Sequence, residues 1–84
     1  MTLHQRRSGR TWVTDQLFAR AKTAIHAVRW YEPSAATDTS EVEVTARGKI
    51  FSRAIANSEL EADECRRALE PFITALIREI DTAP

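Results

Sequence analysis

Between Ser58 and Asp81 the apolar residues Cys65, Leu69, Phe72, Ile73, Leu76, Ile77 and Ile80 recur at steps of four, three, one, three, one and three. At 100° per residue these positions fall within an arc of roughly 140°, the spacing of one buried face of an α-helix. Ser58 with Glu61 forms an S-x-x-E capping box, and Glu59, Glu61, Asp63 and Glu64 place negative charge at the positive end of the helix dipole. Pro71 falls inside the segment, where it removes a backbone hydrogen bond at a cost of roughly 3 kcal/mol. The apolar register continues through it, so the sequence predicts one long helix kinked at Pro71, and the rest of the chain must supply what its stripe packs against.

Two other stretches are patterned. Glu41-Val42-Glu43-Val44-Thr45 alternates as a half-buried strand does, and Ala46-Arg47-Gly48 suits a three-residue hairpin loop with Gly48 in the left-handed position. That loop predicts Val44 facing Ile50, Val42 facing Ser52 and Glu41 opposite Arg53. It also turns Phe51 and Ile55 away from the face that bears Val42 and Val44. Upstream, Leu17, Phe18, Ala21, Ala24, Ile25 and Val28 share one side of a helical wheel, which predicts a helix within Thr11 to Tyr31, capped by Thr14 and stopped by Pro33. Met1 to Arg10 carries one apolar side chain beyond Met1 and reads as a flexible basic arm. Glu32 to Ser40 reads as a loop.

The resulting fold class is α+β: a basic arm over residues 1–10, then a single small domain over 11–84 built from a helix, a two-stranded β-hairpin and the long C-terminal helix. The alternative is a mainly α chain after one short strand, because Ile50, Phe51, Ala54 and Ile55 also fit a helix face. Dimerisation is expected to complete the core. A helix of about 23 residues is roughly 34 Å long and overhangs strands of five or six residues, and Phe51 with Ile55 needs cover on the far side of the hairpin.

With 43% apolar and 29% charged residues, the composition is that of an ordinary folded domain, and no run approaches a membrane span. Formal net charge is zero, but the charge is segregated. Arg6, Arg7, Arg10, Arg20, Lys22 and Arg29 face only Asp15 in the first thirty residues, which suits either an anionic partner or the acidic remainder of the fold. The single cysteine, Cys65, lies on the apolar stripe as a small buried hydrophobe and favours a reducing, cytoplasmic setting.

No catalytic or cofactor chemistry is legible. His4, His26 and Cys65 lack the short paired spacing of a zinc site, and Gly9 and Gly48 are isolated instead of forming a phosphate-cradling loop. The expectation is therefore a non-enzymatic regulatory or adaptor protein without metal or cofactor, acting through protein contacts as a homodimer. Trp12, Trp30, Tyr31, Phe51 and Ile55 are the expected partner-binding residues. The alternative is a nucleic-acid-binding regulator using the six cations named above. If Lys49 to Asn57 were helical, the order strand, helix, helix from Glu41 onward would resemble that of ribbon-helix-helix repressors. Their DNA-facing strand positions would then hold Glu41, Glu43 and Thr45, and the two carboxylates would repel a polyanion.

Overall fold

The alternation around Val42 and Val44 places a strand at the centre of the molecule. In the computed structural model the element order is α1 (Leu3–Arg20), β1 (Ile25–Tyr31), β2 (Thr39–Ala46), β3 (Lys49–Ala56), α2 (Asn57–Glu61) and α3 (Cys65–Thr82). The structure describes residues 3–32, 38–61 and 65–83, with side chains for residues 7–32, 38–61 and 67–83. The three strands form one antiparallel sheet in the order β1-β2-β3, so the fold is α+β with three strands instead of two. Ser40, Val42, Val44 and Ala46 of β2 are buried under the helices, and Thr39, Glu41, Glu43 and Thr45 point to the other face.

The segment 11–31 is not one helix. Its second part is β1, and residues 3–10, expected as an arm outside the domain, form the first part of α1. Ile25, Val28 and Trp30 stand opposite Ala46, Val44 and Val42 on the inner face, with a bulge between Ile25 and Ala27. The bulge inserts one residue into the two-residue period. Inward positions therefore fall three and then two residues apart, and the first of those steps imitates a helix. Branched and aromatic side chains in IHAVRWY favour the strand.

The hairpin between β2 and β3 turns on two residues, not three. Ala46 pairs with Lys49, and both Arg47 (φ 55°) and Gly48 (φ 73°) are left-handed, as the tight turn matching strand twist requires. The register is thereby shifted by one from that of a three-residue loop. Val44 faces Phe51, Val42 faces Arg53, Glu43 faces Ser52 and Glu41 faces Ala54. Phe51 and Ile55 thus share the face of Val42 and Val44, and Ile55 is 3% exposed. Because residues 49–56 are extended, the mainly α alternative and the strand-helix-helix order both fall away.

The segment 58–81, predicted as one helix, falls in two, the last four residues of α2 and all of α3 but Thr82. Leu60 and Leu69 are each 1% exposed. Nine residues apart, they would lie about 180° from one another on a continuous helix, so the stripe of α3 does not extend to Leu60. In α3, Leu69, Ile73, Leu76 and Ile80 are buried, Phe72 and Ile77 flank them, and Pro71 is exposed within the helix. At 18 residues α3 is about 27 Å long, and strands of eight residues span about 26 Å. Helix and sheet match in length, and the overhang does not arise.

Close approach of α2 to α1 explains Gly9. A Cβ there would collide with the backbone carbonyl of Leu60. At the opposite end of α1, the Asp81 carboxylate accepts the backbone N–H groups of Lys22 (3.1 Å) and Thr23 (2.9 Å), tying the turn after α1 to the last turn of α3.

Two outcomes follow. Gly9→Ala gains up to about 1 kcal/mol of helix propensity but forces a backbone shift costing about 1–3 kcal/mol. Thermal denaturation should show a melting temperature several degrees lower, and an unchanged or raised one would refute the contact. The backbone bond from Lys22, then that from Thr23, holds the Asp81 carboxyl below its ordinary 3.8. Stability from this group is present above 3.8 and is lost as pH falls through the lower folded value. Asp81→Asn should lower stability at pH 7, and denaturation curves below pH 4 should fall less steeply than those of the unsubstituted protein.

Candidate interaction surface

The inner face of the sheet is filled by the two long helices, whose Val13, Leu17, Leu69, Ile73, Leu76 and Ile80 join Val42, Val44 and Ile55 in one buried cluster. The outer face is set by the same registers. From one end to the other its rows are Tyr31-Glu41-Ala54, Arg29-Glu43-Ser52 and Ala27-Thr45-Ile50. Among the described residues no helix packs on these rows. Ile50 is 63% exposed and Tyr31 42% exposed at opposite corners; Ala27 and Ala54 hold the other two corners, and Glu41, Thr45, Ser52, Arg29 and the central Glu43 complete the face.

Sequence-predicted contact residues are divided by this arrangement. Tyr31 is on the outer face. Trp30 points inward, half-buried, and its Nε1 donates to Thr14 Oγ1 at 3.0 Å. Phe51 is half-buried against the core, Ile55 is buried within it, and Trp12 packs partly against it from α1.

The cations are also separated. Arg10 donates from Nη2 to Ser40 Oγ (2.6 Å) and Glu32 Oε1 (2.9 Å), with its guanidinium 5.7 Å from the Trp30 ring centre. The hydroxyl of buried Ser40 in turn donates to Asn57 Oδ1, and Asn57 Nδ2 donates to Asp38 Oδ1. Arg20 pairs with Glu70 at 2.6 Å and reaches Thr74. Arg7 and Lys22 are exposed, and Arg29 lies on the outer sheet face. The side chains of His4, Arg6 and Cys65 lie outside the described residues. Two of the five cations described in the first third, Arg10 and Arg20, thus engage acids within the fold.

Ile50 is the surface residue that a three-residue loop misplaced, and the same loop gave Glu41 an Arg53 partner where Ala54 stands. The available signal was that Phe51 and Ile55, both large, belong on the inner face, which only a two-residue turn permits. Among the described residues no three His, Cys, Asp or Glu side chains converge to hold a metal ion, and no helix is long and apolar enough to cross a membrane. No family model matches the chain, and neither a curated protein nor a solved structure matches it.

Arg10 should act as a structural residue. Arg10→Ala leaves the buried Ser40 hydroxyl oxygen without its donor, costing about 1–3 kcal/mol, whereas Arg7→Ala on the exposed side of α1 should change stability by less than about 0.5 kcal/mol. Urea denaturation of both variants checks this, and equal effects would place Arg10 outside the structural network.

Proposed function

We propose that the chain is a non-enzymatic regulatory or adaptor protein of the cytoplasm that works through protein contacts, with the outer face of its sheet as the contact surface. The observation that carries this reading is the uncovered face itself: two large side chains, Tyr31 and Ile50, stand exposed at opposite corners of a face whose other positions hold small residues and the charged Arg29, Glu41 and Glu43. Exposed aromatic side chains such as Tyr31 are enriched where proteins meet partners.

Nucleic-acid binding through Arg6, Arg7, Arg10, Arg20, Lys22 and Arg29 has less support. Arg10 and Arg20 are engaged with Glu32 and Glu70, and Arg29 shares its face with Glu41 and Glu43, which repel phosphates. Self-association belongs to the proposal on different ground from overhang or exposed Phe51. Among the described residues β1 and β3 each pair only with β2, so a second copy can extend the sheet at an edge while both outer faces stay open.

Affinity capture from the cell of origin with the unsubstituted chain and with Tyr31→Ser/Ile50→Ser tests the reading. The unsubstituted chain should retain a protein that the equally stable double variant loses, and identical retained sets would overturn it. Sedimentation at micromolar concentration should show a two-copy species for both, and a 9.5 kDa species alone would remove the dimer.

A further inference from the structure

Several carboxylates elsewhere in the fold have partners, and Asp15 and Glu59, which have no ion pair among the described residues, stand exposed on helices. Glu32, Glu70 and Glu79 pair with Arg10, Arg20 and Arg53, and Asp81 accepts backbone amides. Glu41 and Glu43 differ. They sit two residues apart on the central strand, half-buried on the outer face, and their carboxylates make no ion pair or hydrogen bond with another described residue. Arg29 stands opposite Glu43 in register yet is not within ion-pair distance of it. The face therefore combines two corner anchors, small side chains around them and a net negative charge, two unpaired carboxylates against the single Arg29.

On the reading of this face as the contact surface, we infer that its occupant is a cationic, partly apolar segment of another protein, bound in extended form. Charge complementarity decides between occupants. A second copy laid face to face would bring four carboxylates together against two arginines, and desolvating like charges is costly. Nucleic acid and anionic lipid surfaces are repelled by the same pair. A basic segment meets it directly, and an arginine or lysine can also lie against the Tyr31 ring. The dimensions agree. Glu41 and Glu43 are about 7 Å apart along the strand, the spacing of alternate residues in an extended chain. The path from Tyr31 to Ile50 covers four residues of β2 and two strand spacings, about 16 Å, which about five extended residues span.

The test is a two-dimensional amide NMR titration of the full chain with the capped peptide acetyl-Lys-Val-Lys-Val-Lys-Val-Lys-Val-amide. Its Glu-Val counterpart, a random single-stranded oligonucleotide and phosphatidylserine vesicles serve as parallel probes. The Lys-Val peptide should shift amides of residues 27–31, 41–45 and 50–54, and Glu41→Gln/Glu43→Gln, with an unchanged melting temperature, should weaken binding about two- to tenfold. Shifts on this face from the Glu-Val peptide, the oligonucleotide or the vesicles at equal or greater affinity would overturn the cationic assignment, as would an absence of shifts. If Tyr31→Ser/Ile50→Ser weakens binding and the glutamine variant does not, the contact surface stands and its preference for cations falls. If neither variant changes binding, both fall.

Discussion

The two-residue turn at Arg47 and Gly48 decides which side of the sheet every residue of β3 occupies. With Ala46 paired to Lys49, Phe51, Arg53 and Ile55 fall inward beside Val44, Val42 and Ser40. A slip by one residue would exchange that set for Ile50, Ser52 and Ala54. It would withdraw Ile55 from the core and carry Arg53 away from Glu79 of α3, with which it pairs. Arg47 accepts a left-handed backbone, uncommon for a residue with a Cβ, and its guanidinium donates to the Ala83 carbonyl at 2.8 Å just past α3. The turn thus fixes the register and ties the hairpin tip to the last helix.

Polar ties at both ends of the sheet hold the helices over it. At one end Arg10, Ser40, Asn57 and Asp38 join α1 to the start of β2 and to α2 in a continuous chain of hydrogen bonds. At the other, Asp81 and Ala83 of the C-terminal segment receive Lys22, Thr23 and Arg47. Between these ends lies the apolar cluster, flanked by the Trp30–Thr14 hydrogen bond and the Arg53–Glu79 pair, and beside Arg10 the absence of a side chain at Gly9 lets α2 reach α1 at backbone distance. The charge segregation of the sequence finds part of its use here, because basic residues of α1 meet acids from the later two-thirds of the chain.

What the inner face consumes, the outer face lacks. Two helices close one side of a three-stranded sheet, and no third layer is described on the other. Tyr31, Ile50, Glu41 and Glu43 therefore share a surface only because the registers of β1 and β3 on β2 bring them there. A contact function needs little more than this: a rigid floor, anchors at its corners and a charge that selects among partners.

The amphipathic stripe of α3 and the alternation of β2 were determined by the sequence alone, since each depends on a local period that every side chain in the segment obeys. The same holds for the absence of a metal or phosphate motif, which is a matter of spacing. Tertiary structure decided the remainder. The bulge at His26 disguised β1 as a continuation of a helix, because an inserted residue converts a step of two into a step of three. Leu60 lay off the stripe of Leu69, and only the approach of α2 to Gly9 shows what buries it. The choice between a two- and a three-residue turn rested on whether Arg47 would adopt a positive φ, and nothing local to Ala46-Arg47-Gly48 settles that. The packing of Phe51, Arg53 and Ile55 beneath α3 does, because only that register buries the larger side chains and gives Arg53 its carboxylate.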